Sequence, residues 1–163
     1  RDWSSDVCSS DLTGPVGATG LTGATGVTGP TGPTALTIGG AAQDIKRANT
    51  TYFSIFNPPQ GTAEANEALA QQEMLTGGTL SNFRIRLSAN QAVASASYTF
   101  TVRVNGVSSA VTCTISTASS SCSDSTNSVA IAAGDLHSVS AVPTVTQPTD
   151  NLEGRWTAKL SAA

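Results

Sequence analysis

Alternation of apolar and polar residues dominates the second half of the chain and predicts β-strands. Apolar side chains occupy every second position from 83 to 87 and again from 98 to 104, with threonine or arginine between them. A period of two places such residues on one face of a strand. We expect the core of a folded domain to be built from Phe83, Ile85, Leu87, Tyr98, Phe100, Val102, Val104, Trp156 and Leu160.

The dipeptide Asn105-Gly106 follows the second alternating run. It predicts a β-hairpin, because both of its positions accept the positive φ of a tight turn. A two-residue turn there sets Phe100 opposite Val111 and Tyr98 opposite Cys113. This register would bring the apolar residues of both strands to one face.

Further short apolar runs predict additional strands. They are Thr50–Phe56, Val129–Ile131, Leu136–Val142 and Arg155–Leu160. About eight short strands separated by turns are typical of an antiparallel sandwich or barrel. We therefore expect an all-β domain, either an antiparallel sandwich or a barrel.

The stretch Thr62–Leu75 is compatible with two structures. Its composition favours a short helix, and Leu69, Met74 and Leu75 could share one face. A loop leading into a strand near residues 71–75 is the alternative that we favour, because Gly77-Gly78 follows as a turn would.

Residues 14–34 read GPV GAT GLT GAT GVT GPT GPT, seven triplets without interruption. Three polyproline-II chains can wind together only if glycine occupies every third position, where the helix axis leaves no room for a Cβ atom. A flexible linker rich in glycine and threonine is the alternative. The residues expected at the axis are Gly14, Gly17, Gly20, Gly23, Gly26, Gly29 and Gly32.

The first twelve residues fit neither pattern. Residues 2–12 match the conceptual translation of a short-read sequencing adapter, so we interpret residues 1–12 as an assembly artefact; a disordered native tail is the alternative. Thr13 would then end a truncated triplet, and we expect the native repeat to be longer. The predicted organisation is an artefact at 1–12, a collagen-like stalk at 13–34 and a head domain at 35–163.

Composition narrows the function classes. The chain has 163 residues, 12% of them charged, and a net charge of −3. Leaving out Arg1 and the three aspartates at positions 2, 6 and 11 leaves seven basic and eight acidic residues. We expect no nucleic-acid binding, because no basic cluster is evident along the sequence. We expect no membrane insertion of this fragment, because no apolar run approaches about 18 residues.

Two cysteines outside the first twelve residues are candidates for a disulfide bond. A reversal centred on Thr117-Ala118 sets Cys113 opposite Cys122, at a pair where side chains approach closely. A pair of buried free thiols is the alternative. A disulfide would favour an exported protein.

Residues with catalytic or metal-binding chemistry are sparse. His137 is the single histidine, and we interpret it as a surface or hydrogen-bonded residue. Glu64 and Glu67 are interpreted as a solvated face. Four carboxylates in or beside loops could bind Ca²⁺ through oxygen, but lack the dense spacing of a calcium loop: Asp124, Asp135, Asp150 and Glu153. We expect no enzyme, no cofactor and no metal site.

The combination of a Gly-X-Thr stalk and a β-rich module resembles bacterial and phage collagen-like proteins, including those of the spore exosporium. Segments 78–87, 98–106, 112–115, 122–124 and 133–136 look like the C-terminal head of such proteins. The resemblance implies a trimeric jelly-roll head of the tumour-necrosis-factor and complement type. It carries no ligand-binding residues with it.

These observations predict a structural, homotrimeric surface or filament protein whose head aligns the stalk. The alternative is an adhesin head, of a phage tail fibre or a bacterial surface protein, that binds a glycan or a host receptor. Either would be extracellular or surface-exposed, on a spore, a cell or a virion tail.

Overall fold

The computed structural model describes residues 14–26, 35–46, 49–54, 63–88, 97–116, 119–144 and 151–162. The chain divides into two units, residues 1–30 and 31–163. In the first unit, residues 14–26 form neither helix nor strand, and their side chains are exposed. The segment at 1–12 interpreted as an artefact lies outside the described residues, as do Gly29 and Gly32.

The second unit is an antiparallel β-sandwich, as the alternating sequence predicts. Its described residues form nine strands and one helical turn. They are β1 Ala35–Lys46, β2 Thr51–Phe53, α1 Glu67–Ala70, β3 Gln72–Glu73, β4 Gly78–Leu87, β5 Tyr98–Val104, β6 Val107–Ile115, β7 Ser121–Ile131, β8 Leu136–Pro143 and β9 Asn151–Ser161.

The strands form two sheets. One sheet has the order β1-β9-β4-β7, and the other has the order β2-β8-β5-β6 with β3 also paired to β8. With β3 set aside, the order matches an eight-stranded jelly roll, in which each sheet combines strands distant in sequence.

Strand β1 has no clear counterpart in the sequence pattern. Its residues are mostly small, and Gly39-Gly40 interrupts any alternation. The strand forms because it pairs with β9 from Ala35↔Ser161 to Lys46↔Asn151, with a register shift between Ala42 and Ile45. Long-range pairing therefore overrides weak local preference.

The predicted hairpin at Asn105-Gly106 forms, but its register beyond the turn differs from the prediction. Both turn residues have positive φ, 51° and 77°. A bulge then inserts two extra residues on β6, so that Phe100 pairs with Cys113 and Tyr98 pairs with Ile115. The predicted pairs of Phe100 with Val111 and of Tyr98 with Cys113 are wrong. Because the shift is even, the apolar faces remain aligned.

The stretch 62–75 contains both of the structures that its sequence allows. From residue 63 onward it forms the single turn α1 and the two-residue strand β3. Asn66 caps the turn through its side chain, which accepts from the Ala68 N–H at 3.1 Å. Leu69, Met74 and Leu75 do not share a face, because Met74 is buried whereas Leu69 and Leu75 are exposed.

The core lies between the two sheets. Of the nine residues expected there, eight are buried and Val104 is partly buried against them. Phe100 stacks on Tyr98 with ring centroids 5.9 Å apart and meets Phe53 edge-on at 6.4 Å. In the other sheet, the ring centroid of Trp156 lies 6.1 Å from that of Phe83. Aromatic contacts thus fill both sides of the interior.

Cys113 and Cys122 form the predicted disulfide, with Cα atoms 5.7 Å apart. The predicted turn residues Thr117-Ala118 lie outside the described residues, and on either side of them the Ser119 N–H donates to the Ser116 carbonyl at 3.0 Å. The strands on either side, however, belong to different sheets, so the expected two-stranded ladder is wrong. The disulfide joins the sheets across one edge of the sandwich.

Candidate functional site

His137 is neither on the surface nor hydrogen-bonded, which corrects the sequence interpretation. It is fully buried on β8, and neither ring nitrogen has a hydrogen-bond partner among the described residues. Burial lowers its pKa to about 4. Its ring stacks on Trp156 with centroids 5.3 Å apart. The histidine is therefore a neutral core residue with no proton-transfer partner in contact.

Asp124 is a buried structural carboxylate. It accepts hydrogen bonds from the backbone N–H groups of Thr112, Thr126 and Asn127 and from the Asn127 side chain, each at 3.0 Å. Burial acts to raise its pKa, but these donors lower it to about 2. Its oxygens are thus already occupied by protein donors, which leaves them poorly placed for Ca²⁺.

Asp135 belongs to the turn between β7 and β8. It accepts from the Ala132 N–H at 2.7 Å and from the Asn105 side chain at 2.8 Å, and these bonds lower its pKa. Glu153 is exposed on β9, and Asp150 lies outside the described residues. In the described part of the chain, no group of three or more His, Cys, Asp or Glu residues is arranged to hold a metal ion.

The sequence suggested that Glu67 lies on a solvated face, but the structure shows it in a half-buried ion pair. It pairs with Arg103 at 2.7 Å and accepts from the Ser138 hydroxyl at 2.8 Å. Burial acts to raise its pKa, yet the Arg103 and Ser138 hydrogen bonds hold it below the ordinary value. Arg103 also donates to Ser108 and lies 5.7 Å from the Tyr52 ring centroid. These contacts anchor α1 to the sheet.

Two surfaces of the sandwich have the character of interaction sites. The first is the entry end, which we define by Leu36, Leu75, Val107 and Leu136, beside the start of β1. These are four of the six exposed large apolar side chains in the described part of the sandwich. Leu75 is 86% exposed and Val107 is 67% exposed. The strand registers place these residues at the same end of the sandwich, and large exposed apolar patches are typical of protein contacts.

Hydrogen bonds join three turns at the entry end. Asn105 donates its N–H to the Leu136 carbonyl at 2.7 Å and accepts from the Leu136 N–H at 2.9 Å. Met74 donates to the Asp135 carbonyl at 2.9 Å and accepts from the Gly134 N–H at 2.8 Å. Leu75 and Leu136 therefore project from hydrogen-bonded turns.

The second surface is the basic face, the outward side of sheet β1-β9-β4-β7. It is defined by four exposed cations, Arg84 and Arg86 on β4 and Arg155 and Lys159 on β9. Strand pairing places Arg86 directly opposite Arg155 and Arg84 opposite Thr157. The alternation in β4 predicts that its two arginines point outward, but only the long-range pairing of β4 with β9 gathers all four cations.

A cleft of about 360 Å³ opens on the basic face. Arg84 and Lys159 line it together with side chains that carry hydroxyl or amide groups: Thr37, Asn82, Ser123, Ser125 and Thr157. Such a lining offers positive charge and many hydrogen-bonding groups to a polar ligand. Much of the loop sequence between strands that could contact a ligand, including 58–61, 90–96 and 145–150, lies outside the described residues.

Among the described residues, no helix is long and apolar enough to cross a membrane. In comparisons with known proteins, no protein-family model and no curated protein matches this chain.

Proposed function

We propose that the protein is a structural, homotrimeric, collagen-like surface or filament protein whose sandwich aligns three copies of the Gly-X-Thr stalk. The observation that carries this proposal is the unbroken triplet repeat, which ends at Thr34 immediately before β1 begins at Ala35. Glycine at every third position meets the steric need of a triple helix.

Within a single chain, no contact of the described repeat requires glycine rather than a larger residue. A Cβ atom added to Gly14, Gly17, Gly20, Gly23 or Gly26 would meet nothing within 4 Å. A single chain would therefore tolerate alanine at each position, whereas three wound chains would not. This contrast supports association with further copies.

The entry end supports a contact between the heads. Three chains wound together up to residue 34 bring three copies of Ala35 close to one another. Ala35 pairs with Ser161 and therefore lies at the entry end, among the exposed side chains of Leu36 and Leu75. Apolar burial there would stabilise the trimer and set the register of the stalk. The disulfide agrees with an extracellular or surface location.

Sedimentation equilibrium on residues 13–163 tests the proposal. We expect a trimer at micromolar concentration and a weakened trimer in Leu75→Ser/Val107→Ser, because that variant removes apolar contact area. Val142→Ser is the matched control, since Val142 is exposed on β8 near its far end. A monomeric parent protein would overturn the proposal.

Circular dichroism tests the stalk separately. Gly20→Ala should abolish or lower a collagen-type melting transition while leaving the melting of the sandwich unchanged. Leu21→Ala, at a neighbouring position that faces away from the axis, should preserve both transitions. If Gly20→Ala and Leu21→Ala show the same melting behaviour in the stalk, the repeat is a linker and not a triple helix.

A second candidate function is a glycan- or receptor-binding head. The cleft between Arg84 and Lys159 favours it, because hydroxyl groups and cations converge there on an exposed sheet face. Trimer formation would multiply weak sites through effective concentration. A glycan array probed with the trimer tests this function, and the absence of any bound glycan would leave the structural role alone.

A further inference from the structure

The strand register of the basic face places like charges together. Arg86 and Arg155 are directly opposite each other across β4 and β9. Like charges at opposed positions destabilise a sheet. In the described part of the chain the one ion pair joins Arg103 to Glu67, so none of the four cations of the basic face forms an ion pair with a described carboxylate.

Nearby carboxylates offset this charge only in part. Asp124 lines the cleft, but it is buried and accepts four hydrogen bonds from the protein. Glu153 is exposed two residues before Arg155 on β9, at the end of the face away from the cleft. The two central strands of the face, β4 and β9, therefore present four exposed cations against one exposed carboxylate.

We propose that the basic face binds an acidic polysaccharide through its carboxylate or sulfate groups. This inference rests on the second of the two proposed functions and names the class of glycan. Arginine matches both anions, because its planar guanidinium can form two parallel hydrogen bonds to either. The hydroxyl groups of Thr37, Ser123 and Thr157 would bind the sugar hydroxyls between the charges.

The geometry of the face fits an extended ligand. Arg155 and Lys159 are four residues apart on β9, which is about 13 Å along a strand. Arg84 and Arg86 form a second row on the adjacent strand, about 4.8 Å away. A small anion would contact one or two of these cations, whereas an extended acidic chain can contact cations all along the rows.

Binding of the whole chain to immobilised polysaccharides tests the proposal. The probes are dextran sulfate and polygalacturonate, with neutral dextran and duplex DNA for comparison. At about 0.15 M salt we expect both acidic polysaccharides to bind and neutral dextran to remain unbound. Binding should weaken as salt increases, because exposed charges are screened.

Two charge variants locate the site. Arg84→Gln/Lys159→Gln should weaken binding about tenfold, because it removes two charge contacts from the cleft. Lys46→Gln is the matched control, an exposed cation of the same sheet outside the cleft, and should bind as the parent does. Arg86→Gln/Arg155→Gln should also weaken binding while the melting temperature stays level or rises, because it removes the opposed charges.

Several results would overturn the inference. Failure of both acidic polysaccharides to bind would do so. An affinity loss in the Lys46→Gln control as large as that in Arg84→Gln/Lys159→Gln would do so as well. Binding of duplex DNA as tight as that of the polysaccharides would indicate a general polyanion surface instead. Binding of neutral dextran that survives the cleft variant would reject an acidic ligand but retain a glycan-binding head. A monomer in sedimentation would reject the structural proposal without affecting this one.

Discussion

His137 stacks on Trp156 across the interior of the sandwich, with ring centroids 5.3 Å apart, and joins strand β8 of one sheet to β9 of the other. Both rings are buried, and neither their three nitrogens nor the Thr51 hydroxyl has a hydrogen-bond partner among the described residues. The contact contributes packing to the core while His137 is neutral. Protonation would place an uncompensated charge there.

This contact predicts that acid destabilises the sandwich. The pKa of His137 is about 4 in the folded protein, below its ordinary value of 6.5, because of burial. The unfolded chain therefore binds the proton more readily, and stability is lost as pH falls from about 6.5 towards 4. We expect a loss of about 2 kcal/mol between pH 8 and pH 5, measured by urea denaturation.

His137→Leu is the matched variant for this pH dependence. It keeps an apolar side chain of similar size in the core and removes the one histidine of the chain. Its stability should be nearly constant between pH 8 and pH 5. An unchanged pH dependence in the variant would assign the effect to other groups.

Reduction of the Cys113–Cys122 disulfide should also destabilise the sandwich. The bond closes a loop with a sequence separation of 9 and joins strands of different sheets. Loop-closure entropy gives a loss of about 2.7 kcal/mol on its removal. Urea titration with and without dithiothreitol measures the loss. Cys113→Ala/Cys122→Ala should show the same loss without reductant and no response to it, whereas a parent insensitive to reductant would contradict the prediction.

Phe100→Ala should cost about 3–5 kcal/mol, because the side chain is fully buried between Tyr98 and Phe53. Urea denaturation measures this loss. Thr99→Ala is the control on the other face of β5, where the hydroxyl contacts Thr114 at 3.1 Å. It should cost less than about 1 kcal/mol. A loss below 1 kcal/mol for Phe100→Ala would show that Phe100 does not belong to the core.

Local alternation accounts for the strands that the sequence predicts well. In β5 and β9, and in β4 from Phe83 to Leu87, the buried residues follow a period of two, so these inner faces can be read directly from the sequence. Strand β1 lacks this signal, because Gly39-Gly40 and other small residues neither alternate nor carry strong strand preference.

Features that depend on long-range pairing are less accessible to sequence reasoning. The bulge that sets Phe100 opposite Cys113 lies between Thr101 and Arg103, and the turn residues carry no mark of it. The basic face depends on the pairing of Arg86 with Arg155, which are distant in sequence. His137 is buried although the serines at 138 and 140 make its strand look polar. Those serines are covered by hydrogen-bonded neighbours, Glu67 and the Thr101 carbonyl.

Asp124→Asn should destabilise the sandwich at neutral pH by about 2 kcal/mol. The carboxylate accepts hydrogen bonds from Thr112 on β6 and from Thr126 and Asn127 on its own strand, and hydrogen bonds to a charged acceptor are stronger than neutral ones. An amide in its place would direct its NH₂ group at one or more of these donors. Urea denaturation at pH 7 measures the loss.

The stability loss caused by Asp124→Asn should be smaller in strong acid. The pKa of Asp124 is about 2, below its ordinary value of 3.8, so its ionised form stabilises the fold above about pH 4 and that contribution is lost as pH falls towards 2. The difference between the parent and Asp124→Asn should therefore narrow below pH 4, in a window lower than that of His137. Ser125→Ala, an exposed neighbour, is the control and should stay within about 0.5 kcal/mol of the parent. A stability difference that is independent of pH would show that the charge of Asp124 does not contribute.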